Sequence, residues 1–163
     1  MMTEEEFISR YSGIYERSPW VAEEAAADAA GTDKLDRIAE IMADCVDNAS
    51  TDRQLALIRA HPDLAGKAQI AGELTQDSSD EQASAGLDQC SVEEYERFQS
   101  LNEDYYEKFG FPFVVAVRGS SRAEILAVFA RRLDNDAATE FEMALSEIHT
   151  IARLRIEAME ASN

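Results

Sequence analysis

The sequence predicts an all-α chain, on three observations. Apolar residues recur at spacings of three and four along most of it, which is the period of a helix with one buried face. Ser, Thr and Asp stand repeatedly just ahead of those stripes, where a side-chain oxygen can cap a helix start. One run alone, FPFVVAV at 111–117, is short, β-branched and bounded by Pro112 and Gly119, and a single extended stretch cannot build a sheet. The expected architecture is a single domain over residues 1–163, a bundle of about eight helices with one short extended segment near 111–117.

Thr3 and Glu6 form a capping-box pattern ahead of FISRY. Ser18-Pro19 offers an N-cap followed by proline at the first helical position, opening WVAEEAAADAA, which Gly31 closes. Leu35, Ile38, Ala39, Met42, Cys45 and Val46 mark an amphipathic helix. Ser50 or Thr51 caps DRQLALIRA, which runs into His61. KAQIAGELTQDSS reads as a short helix broken by Gly72 and then a loop, and Ser78, with Glu81 three residues on, begins the next helix. Ser91 and Glu94 make a second capping box before a stripe of Tyr95, Phe98, Leu101, Tyr105 and Phe109, ended by Gly110. Ser120 or Ser121 starts a helix with Leu126, Phe129, Ala130 and Leu133 inward. Asp136 starts the last, with Phe141, Leu145, Ile148, Ile151 and Ala152 inward.

Composition excludes some functions. The chain carries 33 acids against 15 bases, a net charge of −18. Phosphate backbones need clustered Lys and Arg, so nucleic acid is excluded as a partner, and an anionic membrane surface is disfavoured by the same sign. The three lysines, Lys34, Lys67 and Lys108, and the acidic excess fit a surface adapted to high salt, where ions screen self-repulsion. An ordinary acidic cytosolic protein is the plainer alternative. Cys45 and Cys90 match no metal or redox spacing and read as small buried apolar residues in a reducing compartment. MMTEEEFISR lacks the apolar core of a signal peptide, no apolar run is long enough for a membrane span, and EAMEASN is no peroxisomal address. A cytoplasmic location follows by elimination.

Four pieces could carry chemistry. His61, in AHPDLAG, stands at a helix break beside a proline. Either its cation complements the helix C-terminus, or its imidazole is a proton donor or acceptor held at a fixed corner. Asp63 is too close to it to complete a metal site, so no metal is expected. Ser78-x-x-Glu81-Gln82 reads as a capping box, or as a carboxylate and an amide side by side that could read the edge of a heterocycle. YEKFGFPFVVAVRG is packed core, or extended backbone whose unpaired groups meet a ureido-rich ligand. Arg153 and Arg155 point to different helix faces, and an inward arginine needs an anion. A non-catalytic, acidic partner-docking module remains the alternative to an enzyme, and a metal hydrolase using His61, Asp63 and Glu81 falls short in ligand count.

Taken together, HPDLAGK at 61–67, SSDEQASAGLD at 78–88 and FQSLNEDYYEKFGFPFVVAVRG at 98–119, with YERSPWVAE at 15–23 and EIHTIARLRI at 147–156, resemble the OHCU decarboxylase family of urate breakdown. OHCU is 2-oxo-4-hydroxy-4-carboxy-5-ureidoimidazoline. The resemblance implies an all-α, usually dimeric, cofactor-independent carboxy-lyase that forms (S)-allantoin and carbon dioxide. It places the catalytic pair on His61 and Glu81. It places substrate contacts on Pro62, Ser78, Gln82, Phe111, Val115 and Arg155, with Arg153 a competing assignment for the arginine.

Overall fold

The computed structural model describes residues 1–162. Among them there is no strand, and the chain runs through nine helices. It is all-α, as the periodicity predicts. By its internal contacts the chain forms two compact units: Met1–Ala60 with the chain from Ile148 onward, and His61–Glu147.

The first unit holds α1 (Glu4–Tyr11), α2 (Trp20–Ala29), α3 (Leu35–Asp47), α4 (Thr51–Arg59) and the later part of α9 (Ala137–Ala161). Both bonds of the Thr3–Glu6 capping box are present. Buried Val21, Ala22, Ala25, Ala26 and Ala29 line α2, and such small side chains let the neighbouring helices α1 and α3 approach closely. In α3 the buried residues are Ile38, Ile41, Met42 and Val46. Ser18 does not cap α2: its hydroxyl donates to the Glu16 carbonyl at 2.8 Å, and Pro19 occupies the cap position. A serine turned back into its own turn cannot also accept from the helix. Ser50, not Thr51, caps α4, accepting from the Arg53 N–H at 3.2 Å. Cys45 and Cys90 are free thiols and only half-buried, not core residues.

The second unit holds α5 (Lys67–Ile70), α6 (Gln76–Ser84), α7 (Val92–Phe109), α8 (Arg122–Arg132) and the start of α9. The Ser91–Glu94 capping box opens α7, and Gly110 ends it in the left-handed region at φ 78°, where glycine carries no steric penalty. The chain then runs without helix through 112–117, with Phe111, Pro112, Phe113, Val114 and Val117 buried. Tyr105 is the hub of an aromatic cluster, its ring centroid 4.5 Å from that of Phe109, 5.4 Å from Phe113 and 5.8 Å from Phe129. Ser121 caps α8 and Asp136 caps α9. The inward faces of these two helices are rotated from the expected stripes. Ile125, Phe129 and Arg132 are buried in α8, and Glu140, Ala144, Ile148, Ala152, Arg155 and Ile156 in α9. Leu126, Ala130, Leu133, Phe141, Leu145 and Ile151 are half-buried flanks. Two salt-bridged groups, Arg132 and Glu140, occupy core positions that a hydrophobic pattern cannot mark.

Candidate active site

Helix α4 ends at Ala60, whose N–H closes on the carbonyls of Ala56 and Leu57. His61 follows immediately and is 8% exposed. Pro62, half-buried, has no N–H to carry the helix on and disfavours helical geometry in the residue before it. The turn that follows is tight. Ala65 has φ 50°, a left-handed conformation costing about 1–3 kcal/mol for a residue with a Cβ. At Gly66 any Cβ would lie 2.8 Å from the Cβ of Asp63, so glycine is required there by space rather than by φ. Asp63 is exposed as a residue, yet desolvation by the surrounding turn pushes its carboxyl above the usual range.

Helix α6 begins earlier than the Ser-x-x-Glu pattern suggests. Thr75 is its cap and accepts the Ser78 N–H at 3.3 Å. Ser78 is therefore inside the first turn and is not an N-cap, and the pair Ser78–Glu81 is not a capping box. The sequence contains both candidate caps, three residues apart, and the upstream one takes the role. Ser78, Glu81 and Gln82 are instead buried, at 4%, 8% and 3% exposure. Spaced by three and four, they share one helical face. Gln82 ties that face to the turn after His61: its Oε1 accepts the Ala65 N–H at 3.0 Å and its Nε2 donates to the Asp63 carbonyl at 3.2 Å.

Two further amides complete this connection from α7. Gln99 Nε2 donates to the Ala65 carbonyl at 2.7 Å, and Asn102 Nδ2 donates to the Leu64 carbonyl at 3.0 Å. Sequence reasoning missed both. Asn102, a polar residue beside Phe98, Leu101 and Tyr105 on an inward stripe, was the available signal.

The extended segment is held differently. Arg132 Nη1 donates to the Val114 carbonyl at 2.8 Å, and its Nε donates to Glu140 Oε1, also at 2.8 Å. Glu140 is fully buried and also accepts from the Tyr105 hydroxyl at 2.6 Å and the Asn135 amide at 2.8 Å. Burial, then the bond to Glu140, pushes the Tyr105 hydroxyl well above its ordinary range. The Ala116 N–H donates to the Glu147 carboxylate, whose pKa burial nonetheless raises. The Val117 carbonyl accepts from the Ser120 N–H. Several backbone groups expected to be unpaired are thus taken by other groups of the chain. Phe111 is 4% exposed, edge-on to Tyr105 and Phe141, and Val115 is half-buried.

In the first unit, Arg155 is the inward arginine, 4% exposed, with Nη1 3.5 Å from Glu16 Oε1 and 3.4 Å from the carbonyls of Gly13 and Ile14. Arg153 is on the surface, paired with Asp36 and Glu157. The second histidine, His149, lies between the Tyr15 hydroxyl at 2.8 Å and Asp47 at 2.9 Å, a structural arrangement. Among the described residues no three of His, Cys, Asp and Glu gather as a metal site. No helix is long and apolar enough to cross a membrane.

A sequence model of the family described as OHCU decarboxylase matches residues 1–157. The chain belongs to the OHCU decarboxylase family. It is 45% identical to the 2-oxo-4-hydroxy-4-carboxy-5-ureidoimidazoline decarboxylase of Haloferax volcanii, over 95% of this chain and 89% of that protein. A protein of the same name from Halalkalicoccus jeotgali is 41% identical, over 95% of this chain and 85% of its own length. Among solved structures the chain is similar to a crystal structure of (S)-allantoin synthase, with a TM-score of 0.72 and 31% identity, over 98% of this chain and 54% of that one. Family membership gives the buried histidine and carboxylate a chemical context that their burial alone does not.

Proposed function

We propose that this chain, working as one domain over residues 1–163, decarboxylates OHCU to (S)-allantoin and carbon dioxide in urate degradation, with His61 and Glu81 as its catalytic pair. Its family and its named relatives support the reaction. The observation that carries the site assignment is the tie made by Gln82, which joins the His61 turn to the buried face of Ser78 and Glu81.

The substrate carries its carboxylate on a carbon beside a conjugated C=N and ureido system. When the bond to that carboxylate breaks, the electron pair flows into this system and carbon dioxide leaves, so the substrate supplies its own electron sink and the reaction needs no cofactor or metal. What remains for the protein is to orient the carboxylate, stabilise the charge moving onto the ring, take up the proton of the hydroxyl as that carbon becomes a carbonyl, and deliver a proton to one face of the neighbouring ureido-bearing carbon, the stereocentre of the product. His61 manages a proton at the hydroxyl or at the reacting carbon. Glu81 orients and polarises, and Ser78 and Gln82 hydrogen-bond the ring or ureido edge. Pro62, Phe111 and Val115 line the ligand with backbone and apolar surface. Arg155 anchors a carbonyl or an anionic oxygen, a local cation on a chain of net charge −18.

The same reading makes the protein a cytoplasmic homodimer that touches neither nucleic acid nor membrane, with a surface suited to high salt. Freshly generated OHCU, incubated with the protein in molar salt with and without a chelator, tests the reaction by circular dichroism of the product. Chiral allantoin formed equally in both supports the proposal. Loss on chelation points to a metal, and no product at any salt concentration points to a non-catalytic module.

A further inference from the structure

We infer that Gln99 and Asn102 are positioning residues: together with Gln82, to which the proposed function also gives a substrate contact, these neutral carboxamides clamp the turn at 63–65 and so fix where His61 stands. The inference rests on His61 being the group that handles the proton. Four main-chain polar groups of that turn, the carbonyls of residues 63, 64 and 65 and the N–H of Ala65, are each met by a side-chain amide. The amides come from two helices. Gln99 and Asn102 are three apart on α7 and face the same way, and Gln82 reaches from α6.

The turn needs holding. Ala65 is left-handed, and Asp63 and Gly66 approach too closely for any larger residue at 66. A turn of this kind relaxes toward ordinary backbone angles when its polar groups lose their partners. Pro62 restricts the backbone of His61, and the clamp holds the residues that follow.

The residue type matters as much as the position. A carboxamide donates and accepts, and does not titrate. Gln82 uses both ends on one turn, while Gln99 and Asn102 each direct an N–H at a carbonyl. A carboxylate in either α7 position could not donate and would face a carbonyl oxygen. In a chain where acids outnumber bases 33 to 15, amides at these points make hydrogen bonds that do not themselves titrate, although the turn carries Asp63, whose pKa desolvation raises, and Glu81 lies on the facing helix. Their effect on catalysis is geometric, since a displacement of about 1 Å at a catalytic group can cost about 100-fold.

The test replaces Gln99 by Met and Asn102 by Leu, singly, and compares kcat per folded molecule with KM in the presence of OHCU. The expected result is a fall in kcat of about 10- to 100-fold with KM within about twofold, and faster hydrogen exchange across residues 61–66. Gln99→Lys, which restores an N–H donor of similar reach, should recover most of kcat. Gln99 is only half-buried, so its variants decide the matter if Asn102→Leu does not fold. Unchanged kcat in Gln99→Met and Asn102→Leu, beside an inactive His61→Asn, would overturn this inference and leave the catalytic reading standing. A rise in KM alone would overturn it too, by making them substrate contacts. Activity surviving in His61→Asn would instead remove the catalytic reading itself.

Discussion

Two of the irregular segments between helices, 61–66 and 111–117, are held by opposite means. The first is fixed by neutral carboxamides, each within ordinary hydrogen-bond distance of a backbone group. The second is fixed from a buried ion pair, Arg132–Glu140, with side-chain exposures of 4% and 0%, backed by the Tyr105 hydroxyl and the half-buried Glu147. A neutral clamp loses only its own hydrogen bonds when one member goes. A buried ion pair loses far more, because the surviving charge is left without compensation in a medium that solvates it poorly. The backbone of the segment that begins at His61, where the proton chemistry is proposed, is met by neutral amides. The apolar segment, with no titrating group of its own, tolerates charge behind it.

The largest effect should come from breaking the ion pair. Arg132→Met leaves Glu140 with only the Tyr105 and Asn135 donors and frees the Val114 carbonyl. Urea unfolding in high salt should show a loss of about 3–5 kcal/mol, and Tm should fall by about 10 °C. Adding Glu140→Leu should restore much of that loss, since two apolar residues replace two charges; no recovery would mean the pair is worth more than its desolvation. Next comes the neutral clamp. Gln82→Leu strands the Ala65 N–H and the Asp63 carbonyl and should cost about 2 kcal/mol, with an unchanged denaturant m-value; a cost equal to that of Arg132→Met would erase the contrast between the two segments.

The smallest effect is a pH-dependent gain. Burial raises the Glu147 pKa above the usual carboxylate range, so the folded protein is favoured while the group is protonated, and that advantage fades as pH rises through the raised value. Glu147→Gln keeps an acceptor for the Ala116 N–H without the charge. It should raise Tm by about 1–2 °C at pH 7, and the gain should fade as pH falls below about 4, where the unfolded carboxyl, with its ordinary pKa of about 4.3, takes up its proton too. A gain that grows toward acid would have the wrong sign for this account.

The all-α architecture, the capping boxes at Thr3 and Ser91, the Gly110 stop and the extended run after it were legible, because each depends on local geometry that a few neighbouring residues dictate. The capping-box reading of the motif at 78–82 was wrong locally, because Thr75 and Ser78 are both good caps and only packing chooses between them. Arg132 and Glu140 were not legible. An apolar stripe shows where a core should be, and a charge in it is recognisable as core only when its partner, eight residues away and on another helix, is known to face it. The amides on the His61 turn were hidden for the same reason. Gln99 and Asn102 lie more than thirty residues from the carbonyls they hold, and nothing in their spacing names that target.

The most direct test of the central assignment is the turnover of His61→Asn on OHCU, measured beside its thermal unfolding. Asparagine keeps a polar side chain after α4 but cannot trade a proton near neutral pH. The prediction is a kcat lower by about 10²–10⁴-fold with Tm within a few degrees of wild type; full turnover in a folded variant would contradict the role given to His61.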